Sequence, residues 1–178
     1  MRSLIKNKRG AFTDLFIFLA FAFIIIIFFG GMTFIGQTTY NKFMEQAPEL
    51  QEQVGGSGNI TEIIDNTLGQ VNYSYSALKW ISIMLIFGLM LSILLTSFLV
   101  RTNPVFFVPY TILVIIAVIV SVPLSNTYET LYNDATLGLT FQGFFGASWI
   151  FFHLPIWISV IGILAGVLMF INVSRGSY

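Results

Sequence analysis

Two ionisable side chains, Asp14 and His153, stand inside long apolar runs. They are the first candidates for chemistry, because a charge buried in such a setting is costly and needs a reason. A proton relay or an acid/base pair would require both at one depth. Asp14 opens the first apolar run next to Lys8 and Arg9, where a helix N-terminus favours negative charge; it reads as an interfacial capping acid or as one half of an intermolecular ion pair. His153 lies two residues before Pro155 and is placed to hydrogen-bond a carbonyl that the proline loosens. With a single His and no Cys, the chain offers no metal-ligand cluster, no thiolate nucleophile and no Ser/His/Asp set. No Gly-rich phosphate loop, row of intramembrane acids, arginine-rich repeat or filter-like loop is present. The expectation is a non-enzymatic chain with no cofactor, no metal and no nucleic-acid partner.

Small residues at helical spacing give a stronger signal. Ser159, Gly162 and Gly166 form a close-approach face with the GxxxG pattern, Gly88 and Ser92 form a second, and Ala117 with Ser121 a lesser groove. Such faces bring helices together within one bundle or between subunits.

The elements that carry these residues follow from composition. At 56% hydrophobic, 9% charged and mean hydropathy +0.86, the 178-residue chain has too little polar surface to cover a water-soluble fold. It reads as one all-α integral membrane domain over residues 1–178, with four transmembrane helices at about 11–36, 80–100, 105–124 and 147–171. The first run would extend roughly 39 Å at ~1.5 Å per residue, against a hydrocarbon core of ~30 Å. Helices are expected throughout because a chain in hydrocarbon must satisfy its own backbone, and the alternation of barrel strands is absent. Arg101 to Pro104 join the second and third spans in a tight hairpin, with Pro104 marking the stop and restart.

Charge sets the threading. Six of the eight basic residues, Arg2, Lys6, Lys8, Arg9, Arg101 and Arg175, fall on one side; Lys42, Lys79 and seven of the eight acids fall on the other. Basic flanks stay cytoplasmic, so both termini are expected inside. By this threading Asp14 lies near the inner surface and His153 toward the outer, so they do not pair within one chain.

The outer segments are 37–79 and 125–146. A polar helix is expected to continue past the first span, with a break at Pro48 and a definite end at Gly55 to Gly58. Ile60, Ile63, Ile64, Leu68 and Val71 then recur at helical spacing behind an Asn59/Glu62 capping box. This predicts a short amphipathic helix on the outer membrane surface or against a partner. A second short helix is predicted around Tyr128, Leu131, Tyr132 and Ala135, with Asn126 and Glu129 at capping spacing. Both either cover the ends of their own bundle or serve as lateral contact surfaces. Asn59 and Asn72 have the form of glycosylation acceptors.

Residues Lys6 to Asp14, KNKRGAFTD, followed by the apolar run, resemble the signal of type IV prepilins: basic residues, a Gly cleavage site, then a helix with an early acid. The resemblance covers the first fifth of the chain. The acid stands fourth after Gly10 where pilins usually have it fifth, and three further spans replace the soluble head. A basic flank ahead of a retained first span accounts for the same residues, and the run exceeds the apolar core of a cleaved secretory signal.

The reading reached is a multi-pass membrane protein acting as a structural or assembly subunit of a larger membrane-embedded complex, such as a virion membrane or an accessory subunit. Its partners would be the lipid bilayer and other subunits or copies of itself. The alternative is a pore former or small transporter of holin-like type.

Overall fold

The first apolar run does not stop at the expected bilayer edge. In the computed structural model, which describes residues 10–55, 59–99, 105 and 107–174, it forms α1 (Gly10–Val54), a single 45-residue helix. At ~1.5 Å per residue this rod is roughly 68 Å long, about twice the thickness of a hydrocarbon core. Pro48 lies inside it on an exposed face and does not break it. The helix ends where glycine permits the left-handed backbone: Gly55 has φ 58° and returns its N–H to Gln51 O at 3.3 Å. The Gln51 side chain then accepts the N–H of Ile60 at 2.8 Å, closing a turn back along α1.

The returning rod consists of α2 (Ile60–Ile64), a π-helical turn (Asp65–Gly69) and α3 (Gln70–Leu99). Asn59 caps it as expected, accepting Glu62 N–H at 3.4 Å. The predicted short helix over 60–71 is therefore the far part of a 40-residue helical stretch continuous with the second span, Ile60–Leu99. The π turn explains how the two parts share a seam. Ser82 and Ile86 are buried on α3, and Tyr75 packs its ring over Gly36 of α1. Stepping back from these by sevens in an unbroken α-helix would turn Thr61 and Asp65 toward α1. The wider π turn rotates the distal part by about one residue, so Ile64 is buried and Ile60 half-buried while Thr61 and Asp65 are exposed. Asp65 instead accepts from the Tyr40 hydroxyl at 2.8 Å. Gly69 leaves room for this, since a Cβ there would stand 2.7 Å from the Asp65 carboxylate oxygen.

The third span is α4 (Phe107–Tyr132), which runs unbroken through Pro123. This corrects the predicted second short helix: Asn126 and Glu129 lie within α4, not at a cap, and Tyr128 is fully buried. Beside the proline, Ser121 Oγ donates to Val118 O at 2.7 Å and Thr127 Oγ1 to Pro123 O at 2.8 Å. After α4, Asp134 accepts the N–H groups of Thr136 (2.8 Å) and Leu137 (2.9 Å) and shapes the turn into α5 (Gly138–Gln142). The Leu137 and Thr136 N–H groups also hold the Asp134 carboxyl below the usual carboxylate range. The predicted fourth span is two helices, α6 (Phe145–Phe152) and α7 (Leu154–Ser174), separated at His153.

Four helices are long and apolar enough to cross a membrane, within Thr13–Gln53, Ile60–Leu99, Phe107–Tyr132 and Leu154–Ile171. α1 packs on α3, α3 on α7 and α7 on α4, while α5 wedges against α1. Phe141 of α5 covers Gly30, and Thr140 donates to Gln37 Oε1 at 3.3 Å. The core is almost wholly apolar: Leu15, Phe18, Ala22 and Ile26 of α1 meet Ile86, Met90 and Ile93 of α3 and Ile158 and Ile161 of α7.

The π turn is a register device, and this can be checked. Deleting Asn66 should convert it to α-helix with Ile60 and Ile64 still facing α1, so amide exchange across 37–79 stays slow. Deleting Ser74 should turn the distal apolar residues away from α1 and speed exchange from Glu45 to Leu68.

Candidate functional site

The features that deviate from plain helix packing gather where α4, α5 and α6 meet, around the break at His153. Pro155 has no N–H to return to Phe151 O, and His153 adopts φ −110°, ψ 23°, leaving the helical path. Three carbonyls then need donors. The Ser125 hydroxyl of α4 donates to Phe151 O at 2.8 Å, with Phe152 O at 3.4 Å. Trp149 O loses the amide of His153, which turns to Phe151 O, and receives the His153 ring Nδ1 at 3.0 Å instead. A carbonyl only accepts, so Nδ1 carries the proton in this bond. His153 thus serves its own helix break, at Trp149 O and not at the Phe151 O that Pro155 leaves without its usual amide.

Beneath the break lies a closed polar thread in an aromatic cluster. Ser148 Oγ donates to Phe144 O at 2.9 Å, with Phe141 O at 3.2 Å, so the Tyr128 hydroxyl, 2.7 Å away, donates to Ser148 Oγ. The Tyr128 ring stacks on Phe151 at 4.9 Å between centroids and meets Phe141 and Phe152 edge-on at 5.8 Å. Such contacts add about 0.5–1.5 kcal/mol each beyond area burial. On the outer face of the break, Trp149 lies 5.7 Å from His153 and 5.4 Å from Trp157, with Trp149 and His153 exposed.

The predicted small-residue faces divide. Gly162 and Gly166 are buried against α4: a Cβ on Gly162 would stand 2.7 Å from Val114 Cγ1, and one on Gly166 3.1 Å from Tyr110 Cε1. The Tyr110 hydroxyl donates to Gly162 O at 2.8 Å across this contact. Ser159 is half-buried and bonds back to Pro155 O at 2.8 Å. Ala117 and Ser121 are fully buried on α4. Gly88 and Ser92 face away from the bundle, with no atom within 4 Å of a Cβ built on Gly88. Beside the Gly162 contact, α4 and α7 leave an apolar groove of about 560 Å³.

Asp14 is half-exposed on the second turn of α1 and has no hydrogen-bond or ion-pair partner among the described residues. Arg2, Lys6, Lys8, Arg9, Arg101 and Arg175, which carried the threading argument, and Pro104 of the predicted hairpin turn lie outside the described residues. Of the predicted contact face, Ile60, Ile64 and Leu68 turn toward α1, while Ile63 (59%) and Val71 (44%) are exposed. Asn59 is exposed; Asn72 is half-buried, with its Oδ1 unpaired. Sequence reasoning missed Ser125, Ser148 and Tyr110. A hydroxyl within a span opposite a proline was the available signal for Ser125, whereas Ser148 and Tyr110 gave none.

No family model, curated protein or solved structure matches the chain. Among the described residues no group of three or more His, Cys, Asp or Glu could hold a metal ion.

Two outcomes test this geometry by thermal unfolding in mild detergent. Ser148→Ala should cost about 1–3 kcal/mol by stranding the buried Tyr128 hydroxyl, and adding Tyr128→Phe should recover much of that loss. Gly162→Ala should cost about 1–3 kcal/mol by overpacking against Val114, while Gly88→Ala should be neutral or slightly stabilising.

Proposed function

We propose that this chain is an integral membrane protein with both termini on the cytoplasmic side, serving as a structural or assembly subunit of a larger membrane complex. The observation that carries the reading is the hairpin formed by the far halves of the two longest helices. Residues 37–54 alone add roughly 27 Å beyond the predicted first span at ~1.5 Å per residue. This is a rod whose seam includes Tyr40, Gln51 and Asn72, and whose surface carries exposed Phe43, Ile63, Val71 and Tyr73 among Glu45, Glu49, Glu52 and Glu62. Two helices with so few buried apolar residues gain little from each other in water, so lateral partners that cover these side chains account for the length. The apolar interior between α1, α3 and α7 supports a role without ion passage through one chain.

The second reading, an oligomeric pore of holin-like type, is favoured by one feature: Gly88 and Ser92 of α3 face outward with no internal partner. Several copies could bring these faces round a common axis.

One measurement tests the threading and two separate the readings. Reporters after Tyr178 and in the 56–58 linker should report opposite sides of the membrane. Ile63→Asp combined with Val71→Asp should reduce co-purification of native neighbours while the purified chain keeps its thermal stability. Liposomes holding the purified wild-type chain should show no ion flux. Robust flux that Ser92→Leu abolishes, with association unchanged by the hairpin substitutions, would put the pore first.

A further inference from the structure

Leu139 and Phe145 are each 82% exposed, more than any other large apolar side chain among the described residues. They flank the corner where α5 turns into α6, in the segment that the sequence placed outside the bilayer. The contacts of this corner fix its depth. Toward the hairpin, α3 carries no charged residue from Leu99 until Lys79, α4 none from Phe107 until Glu129, and α1 none from Leu15 until Lys42. These three residues mark the rim of the charge-free bundle, and the corner sits within it. Gly146, beside Phe145, lies against Ile83 of α3, one turn inside Lys79. Phe141 covers Gly30 of α1 and meets the ring of Tyr128, one residue short of Glu129, at 5.8 Å. Leu139 stands further out, since its neighbour Thr140 bonds Gln37 and Gly138 abuts Tyr132 O. Near the level of Ile83, α3 presents Trp80 (71% exposed) and Met84 (72%). A bilayer that covers Met84 therefore reaches Phe145, and its edge reaches Leu139.

The backbone suits that depth, because irregular chain is tolerated near hydrocarbon only where its polar groups are engaged. The amides of Gly143 and Phe144 donate to Thr140 O at 3.1 Å and Phe141 O at 3.0 Å, and Gln142 Nε2 donates to Tyr132 O at 3.5 Å. No Asp, Glu, Lys or Arg lies between Gly138 and Trp149. We infer that the α5–α6 corner is a lipid-inserted wedge, with Phe145 among the acyl chains of the hairpin-side leaflet and Leu139 at the boundary beneath its headgroups. The connection from α4 to α6 then dips into the bilayer instead of crossing above it. Apolar side chains on one side of a short helical segment bind at that boundary by burial. The inference rests on the membrane reading of the chain and is independent of whether the chain is a scaffold or a pore.

The test is depth-dependent quenching in the full chain, which has no Cys and so takes one thiol at a time. Leu139→Cys, Phe145→Cys, Leu91→Cys and Asn133→Cys, all at exposed positions, are labelled with an environment-sensitive fluorophore and reconstituted in phosphatidylcholine liposomes. Thermal unfolding matching that of the parent confirms the fold of each. Quenchers are lipids with a nitroxide near the headgroup, lipids with a nitroxide near the acyl end, and iodide on both sides of the membrane. The Leu91 label should respond best to the acyl-end nitroxide and the Asn133 label to iodide. Both corner labels should respond best to the headgroup-side nitroxide, the one at Phe145 the more deeply placed, and be about threefold less sensitive to iodide than Asn133. Corner labels that behave like Asn133, while Leu91 meets the deep nitroxide, would overturn the wedge and leave the membrane reading standing. A Leu91 label that meets neither nitroxide would remove the membrane reading and the wedge with it. Corner labels shielded from both nitroxides and from iodide would assign the corner to a second copy and overturn the proposal.

Discussion

A backbone carbonyl released inside an apolar helix must find a donor from the protein, since hydrocarbon has none to give. The break at His153 shows how much of the bundle is organised by that requirement. Pro155 removes one donor, and the displaced His153 amide removes another from Trp149 O. Their replacements come from two places: the histidine ring of the same helix and the Ser125 hydroxyl of α4. The second of these fixes the depth of α4 against α6, and with it the pairing of Tyr128 with Ser148 one turn away. In transporters, broken helices leave such groups free for a ligand or ion. Here the freed carbonyls are engaged internally, so the break serves packing.

The same economy explains the small residues. On α7 each removed side chain admits a group from α4, so Gly162 and Gly166 are the complement of Val114 and Tyr110. On α1 the pattern repeats with larger partners, Gly30 under Phe141 and Gly36 under Tyr75. Aromatic rings filling glycine notches give close packing where lipid offers no hydrophobic drive for helices to associate. Gly88 lacks such a ring and stands apart from the set.

The sequence showed the number and approximate position of the apolar helices, because length and unbroken hydropathy are local properties. It also showed the Asn59 cap, set by neighbours within a few residues. It misjudged the proline effects. Pro48 read as a break yet lies inside α1, while Pro155 marks a real one. At Pro48 the neighbouring Ala47 is buried within the fold, whereas His153 ahead of Pro155 leaves the helical path. The periodicity of Ile60, Ile63, Ile64, Leu68 and Val71 was read as one face because the π turn that splits it has no sequence signature. It becomes visible only once the seam with α1 is traced. Tyr128 read as part of a short outer helix, since nothing local announces that Ser148 waits for its hydroxyl.

The long hairpin and the apolar interior together constrain what the molecule can be. A chain that conducts along its own axis needs polar side chains aimed inward, and the buried hydroxyls of Ser82, Ser121, Tyr128 and Ser148 bond to backbone or to one another. A chain that acts through contacts needs surface held away from the bilayer at a fixed angle. The hairpin seam runs from Ile93 to Ile64 along one helical stretch, so a load applied at its tip would be carried into the core by continuous helix. Tyr40 and Asp65 brace the rod at the π turn, the one place where its backbone geometry changes.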